Sequence, residues 1–319
     1  MIDKNTGMFL RGAGAFLVIL AHYSQWYLTL ENNRIAWLLS KTGRYGVAVF
    51  FLVSGYGLVF SAKRGLDYRW LCRRLNNVYL PYLCIWGIIC LFEKREWSAL
   101  NLVKYLSGMD MWFVFVILLF YILFYIVWKF SRKKILWMAV GVSVISIILA
   151  VTVKSSVWYS SNYAFLIGIV AGRYDESIGV WLQQRKAICC GILLFGFLCS
   201  GVIYTYFTNK SEFIYILGKI TASILYTLFI LGVFAYREKT NWIFMKTGAI
   251  SLELYLVHNF VLLRLSLVKE KIGAAGVLLF SLLLSVVFSL ILHEIFGLLQ
   301  RRMKRKYYKK ENAENKTPA

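Results

Sequence analysis

Long apolar runs recur along the whole chain with only short basic interruptions, and this limits what it can fold into. About 18 or more residues poor in charge are enough to cross a hydrocarbon core as a helix. Inside lipid, every backbone N–H and C=O must find its partner within the protein, so apolar runs of this length become helices. Ten such segments can be drawn, over 8–30, 44–62, 75–92, 111–130, 135–153, 157–173, 187–207, 213–236, 242–264 and 274–300. The sixth is short and polar. The expected class is therefore all-α, a polytopic membrane protein of about ten transmembrane helices. One membrane domain over 1–300 and a basic tail over 301–319 are expected, because no linker-like break interrupts the runs. The N-terminus has the cations of a signal peptide, Lys4 and Arg11, but its run is long and no small-residue cleavage site follows, so an uncleaved first span is expected.

The net charge of +22 would point to nucleic acid in a soluble protein. Here the cations sit in short segments between apolar runs, where retention of Lys and Arg on the cytoplasmic side explains them. With a cytoplasmic N-terminus, the inner segments hold twenty-four Lys and Arg residues and the outer ones eleven. That bias predicts both termini in the cytoplasm and an even number of spans. The terminal run Arg301, Arg302, Lys304, Arg305, Lys306, Lys309 and Lys310 directly follows a span, which suits anionic lipid headgroups rather than DNA. Nucleic acid is not an expected partner; membrane lipid is.

Polar residues inside spans are costly and default to function. In the first span, Arg11 and His22 are eleven residues apart, which is three helical turns plus about 20°. Both project from nearly one face, about 16 Å apart along the axis. That looks like the wall of an internal tunnel; a snorkelling arginine with a satisfied core histidine is the alternative. In the ninth span, Ser251, Tyr255 and His258 follow an i, i+4, i+7 pattern and share a face that should turn inward. His22 lies about 21 Å along the helix from Met8 and His258 about 24 Å from Trp242, which puts both in the outer half of the bilayer. His293, beside Glu294, reads as an interfacial residue near the inner end of the last span. Ser54, Gly55 and Gly57 in the second span permit close helix approach or a local break.

The segment from Lys63 to Arg74 holds five cations and one acid, Asp67. Topology alone can explain them. Arg69, Arg73 and Arg74 also suit a phosphorylated cosubstrate, because the planar guanidinium fork matches phosphate oxygens. Cys72, Cys84, Cys90, Cys189, Cys190 and Cys199 lack zinc-ligand spacing and read as reduced core residues. No metal site is expected. Gly12 and Gly14 follow no strand, and Gly218-Lys219 lacks the spaced upstream glycine of a phosphate loop.

Taken in order, these landmarks resemble acyltransferase family 3, the integral-membrane O-acyltransferases of bacterial surface carbohydrates. The resemblance rests on Arg11 and His22 at their spacing, and on Gly46-Val-Ala-Val-Phe-Phe-Leu-Val-Ser-Gly55. It continues through Arg73-Arg74 with Pro81-Tyr82, Trp112-Phe113, and Ser251-Leu-Glu-Leu-Tyr-Leu-Val-His258. It implies a ten-helix domain in the bacterial inner membrane that uses an acyl-CoA, commonly acetyl-CoA. The acyl group would pass to a hydroxyl of a surface or lipid-linked carbohydrate, with other glycan-assembly proteins as possible partners. Arg69, Arg73 and Arg74 would receive CoA phosphates at the cytoplasmic mouth, and Arg11 would guide or polarise the thioester end. His22 would act as general base or carry the acyl group, and His258 would orient the acceptor or support His22. Glu253 stands where the family usually has a small polar or aromatic residue. A transporter or flippase for a lipid-linked sugar is the rival class; a paired internal repeat would favour it, and none is evident.

Overall fold

The computed structural model describes residues 1–28, 33–153, 155–235 and 241–314, with side chains through 298. The basic tail cations therefore lie outside the described side chains. The described residues are helical, without strands. In order the helices are α1 (Lys4–Tyr27), α2 (Arg34–Ser40), α3 (Gly43–Ala62), α4 (Tyr68–Phe92), α5 (Ala99–Ser107), α6 (Trp112–Phe130) and α7 (Lys134–Val153). They continue with α8 (Tyr163–Arg173), α9 (Asp175–Tyr206), α10 (Glu212–Phe234), α11 (Trp242–Ala249), α12 (Ser251–Ser266) and α13 (Lys269–Glu314). Two compact units result, Met1–Ala249 and Ile250–Ala319.

Polar caps start several helices at residues that offer a side-chain oxygen to the first orphan N–H groups. Asp3 accepts from the Thr6 N–H at 2.6 Å, Asp67 from Trp70 at 2.6 Å and Ser98 from Asn101 at 3.2 Å. Gly108, at φ 85°, ends α5 in the left-handed conformation that glycine adopts without penalty. Arg95 and Asp110 pair across the connection from α4 to α6, and this hydrogen-bonded carboxylate raises the guanidinium pKa above its usual range.

Eight helical stretches among the described residues are long and apolar enough to cross a membrane; α11 and α12 taken together would make nine. The ten-segment drawing differs at two places. The sixth segment is not one span. It divides into a 3-10 turn at Ser156–Trp158, an irregular stretch and the 11-residue α8. At ~1.5 Å per residue α8 covers about 16 Å, roughly half a hydrocarbon core. The irregular stretch is tolerated because it is buried in protein and hydrogen-bonded. Ser161 donates to the Arg44 carbonyl at 3.0 Å, and the Asn162 amide donates to Ser146 Oγ at 3.0 Å. The ninth segment breaks at Ile250, between α11 and α12. Elsewhere the drawn starts fall near breaks inside longer helices: Arg185 interrupts α9 and Gly273, at φ 70°, interrupts α13.

In the first unit α3 is central, packed against α1, α8 and α10. Its run Val47 to Leu52 is buried throughout. Two crossings depend on the missing glycine side chain. A Cβ on Gly55 would lie 2.2 Å from the Phe165 carbonyl oxygen, and one on Gly168 2.2 Å from that of Leu52. The small residues of the second segment thus serve close approach, here of α3 to α8. Likewise a Cβ on Gly12 would lie 2.1 Å from the Phe244 oxygen, so α1 and α11 touch backbone to backbone. Helices α1 and α3 run antiparallel, since Gly7 neighbours Val53 while Ala21 neighbours Gly43. The N-terminal end of α1 therefore shares one end of the unit with the C-terminal end of α3. Large apolar side chains left exposed on α7 and α9, such as Ile147, Val151, Phe195 and Val202, form a lipid-facing perimeter.

Candidate active site

Helix α1 is unbroken from Lys4 to Tyr27, so Arg11 and His22 keep the axial separation of about 16 Å that their spacing gives. Arg11 is half-buried, and its Nε donates to the Gly7 carbonyl at 3.4 Å. It lines a cleft of about 640 Å³ shared with Lys4, Tyr56, Phe60, Arg64 and Asp175. Tyr56 donates to the Asp175 carboxylate at 2.6 Å, which fixes one wall of that cleft. Tyr121 of α6 lies within electrostatic range of both Arg11 and Arg74.

Arg74 is the one proposed phosphate-binding arginine that turns inward. Its guanidinium donates to the Ser61 hydroxyl and rests 5.7 Å from the Trp70 ring centroid. Trp70 donates to the same hydroxyl at 2.8 Å and is itself buried, stacked on Tyr125. The two residues meet because positions i and i+4 share a helix face. Arg69 and Arg73 were expected beside it in a loop entering the third span. They lie instead on the first two turns of α4, which begins at the Asp67 cap, and both are exposed. Arg73 Nη2 stands 3.8 Å from Asp67 Oδ1 in a pair whose side chains are 60% and 61% exposed, a surface contact. The sequence reading did not single out Arg64, Tyr56 or Tyr121. Arg64 stood among the five cations without a distinguishing signal, and Tyr121 lay in an uninterrupted apolar run.

His22, near the other end of α1, is half-buried, with Nδ1 2.9 Å from the Val18 carbonyl oxygen. A carbonyl can only accept, so Nδ1 carries the proton and the neutral ring has its lone pair on Nε2. That nitrogen can take a proton from a hydroxyl. The ring stands in a T-shaped contact with Trp26, with centroids 6.1 Å apart.

His258 belongs to the second unit. It is 1% exposed, and Nδ1 donates to the Tyr255 carbonyl at 2.7 Å, again leaving the lone pair on Nε2. Ser251 and Tyr255 are buried as the shared polar face required. His293 is not merely interfacial: its Nδ1 lies 2.9 Å from Oε1 of Glu253, giving that buried carboxylate of α12 a partner on α13.

A family model described as an acyltransferase domain matches residues 9–294. No curated protein and no solved structure matches the chain.

Proposed function

The chain belongs to acyltransferase family 3, and from that premise we propose that this membrane protein moves an acyl group from acyl-CoA to a carbohydrate hydroxyl. The donor is assigned as acetyl-CoA, the acceptor as a surface or lipid-linked glycan, and the location as the bacterial inner membrane. The observation that carries this reading is the single helix α1. It bears a cation in a basic cleft towards one end and a base-competent imidazole towards the other.

The separation of about 16 Å along α1 divides the labour. Arg11 and His22 cannot touch one carbonyl, so Arg11 guides the donor rather than polarising the reacting thioester. Arg74, with Arg64 and Lys4 near the cleft, receives the phosphates; a guanidinium held by Ser61 and Trp70 loses little freedom on binding. The pantetheine arm of the donor then extends along the face of α1 and brings the thioester to His22. There Nε2 takes the proton of the acceptor hydroxyl while its oxygen attacks the thioester carbonyl. The C–S bond breaks, the ester forms, and the proton held by His22 passes to the departing thiolate.

Incubation of the purified chain with acetyl-CoA labelled in the acetyl group tests this. Label transferred to an acceptor with release of free CoA supports the enzyme. Transport of a lipid-linked sugar with no turnover of acetyl-CoA would replace it with the transporter reading.

A further inference from the structure

At the end of the first unit that carries His22, three cations gather where the proposed reaction gives them no role. Gly43 packs on Ala21, and Thr42 donates to the Leu17 carbonyl at 2.9 Å, so the start of α3 is fixed beside this end of α1. Arg44 follows directly. Its Nη2 donates to the Tyr204 hydroxyl at 3.0 Å, and its Cζ lies 4.6 Å from the Tyr204 ring centroid and 5.3 Å from that of Tyr45. Lys219 of α10 reaches the same region. Its Nζ donates to Ser156 Oγ at 2.7 Å and sits 4.2 Å from the Tyr215 ring centroid. Lys219 is within electrostatic range of Arg44 and of Lys41, and Lys41 is within range of Arg44.

Among the described residues no carboxylate pairs with any of the three. Moreover, Nη1 of Arg44 is buried without a hydrogen-bond partner. Like charges repel, and a buried donor left unmade is costly, so a fold rarely keeps both without a ligand to offset them. Within a membrane protein such a cluster reads as a binding site by default. The guanidinium fork suits the paired oxygens of a carboxylate or phosphate. Tyr45 and Tyr204 are buried and hold the guanidinium in place, while half-buried Tyr215 beside Lys219 offers a ring and hydroxyl of the kind a sugar packs on. A headgroup site on the lipid perimeter would instead have its cations out on exposed side chains, whereas Arg44 is half-buried between α3 and α9.

We propose that Arg44, Lys219 and Lys41 bind the carboxylate or phosphate of an acidic acceptor glycan at the His22 end of the membrane domain. This rests on the acyltransferase reading and narrows its acceptor to a charged sugar. Arg44 would grip the oxyanion through Nη1 while Nη2 stays on Tyr204, and Lys219 would add charge from the opposite helix.

The test compares dodecyl β-glucuronide with dodecyl β-glucoside, two amphiphiles that differ in one carboxylate, on the full chain in phosphatidylcholine nanodiscs. The wild-type chain should bind the glucuronide about tenfold tighter, as a charge-assisted hydrogen bond to carboxylate gives. Arg44→Gln and Lys219→Gln should each reduce that preference. Arg44→Lys, which retains the charge and loses the fork, guards against a folding defect and should keep part of it. Equal affinity for the two amphiphiles in the wild-type chain overturns the proposal, as does a preference that survives in both glutamine variants. If phosphatidylglycerol added to the discs abolishes the preference, the site belongs to a lipid headgroup and the acceptor assignment falls. Binding of acetyl-CoA by the wild-type chain is measured in parallel. A glucuronide preference without acetyl-CoA binding leaves the anion site standing and removes the enzyme.

Discussion

Glu253 on α12 and His293 on α13 face each other at 2.9 Å, forty positions apart in the chain, with the carboxylate side chain 7% exposed and the imidazole 45% exposed. Glu253 also lies in the first turn of α12, where the helix dipole favours negative charge. Removing the histidine leaves a buried acceptor without its partner, which typically costs ~1–3 kcal/mol. Removing the charge by Glu253→Gln keeps a group that can still accept. His293→Ala should therefore lower the thermal stability of the purified protein more than Glu253→Gln does. The reverse order would show that the pair does not hold α12 and α13 together.

Arg69, Arg73 and Arg74 separate cleanly once their environments are known. Arg74→Gln should weaken acyl-CoA binding about tenfold or more, the scale of one charge-assisted contact at ~1.5–3 kcal/mol. Arg69→Gln and Arg73→Gln, at exposed positions, should change it far less. Titration calorimetry with each variant decides it. Equal losses in all three would make the effect one of general surface charge.

Gly55 and Gly57 stand two positions apart on α3 in opposite situations. A Cβ at position 55 meets the Phe165 backbone at 2.2 Å, whereas one at position 57 meets nothing within 4 Å. Gly55→Ala should force α3 and α8 apart and lower the yield of folded protein. Gly57→Ala should fold normally, and in a helix interior alanine is favoured over glycine by roughly 0.5–1 kcal/mol. Size-exclusion profiles of the two variants after detergent extraction make the comparison.

Much of this architecture was legible because membrane helices advertise themselves. Arg11 and His22 stood out as rare polar residues in a long apolar run, and the breaks at Arg185 and Gly273 lie beside the drawn starts of the seventh and tenth segments. What escaped depends on contacts distant in sequence. The sixth segment looks like a weak span because Ser161 and Asn162 find their partners on α3 and α7. Which of Arg69, Arg73 and Arg74 turns inward depends on where α4 starts, and the Asp67 cap puts that start seven residues before the apolar run suggested. Lys219 carried no signal beyond a rejected phosphate-loop match with Gly218, and only the fold brings it within range of Arg44.

Topology yields a direct test. Helix α9 carries the chain from Asp175, at the Arg11 end of the first unit, to Tyr204, which meets Arg44 at the other end. The connection between α3 and α4 and the connection between α9 and α10 should therefore lie on opposite sides of the membrane. By the excess of Lys and Arg, the first is the one expected in the cytoplasm. Reporter fusions after Gly65 and after Asn209 should give opposite signals, and matching signals would refute the arrangement.

His22 carries the sharpest expectation. Its Nδ1 proton is committed to the Val18 carbonyl one turn back, so the ring is held in the tautomer that makes Nε2 basic. A hydroxyl is a weak nucleophile at neutral pH, and proton removal by a positioned base is typically worth ~10²–10⁴ in rate. Alanine preserves the helix and removes only the ring. His22→Ala should thus insert and bind acyl-CoA, whose charged end is held about 16 Å away near Arg11, yet transfer at a rate reduced by at least ~10². Acidification should act in the same direction in the wild-type chain, because a protonated ring has no lone pair to offer. Transfer kinetics are compared with His293→Ala at matched amounts of folded protein, since that histidine serves α12 and α13 and touches no proposed step. Equal activity in the two variants would remove His22 from the role of base, and an unaltered acyl-CoA affinity in both would confirm that the loss lies in the chemical step.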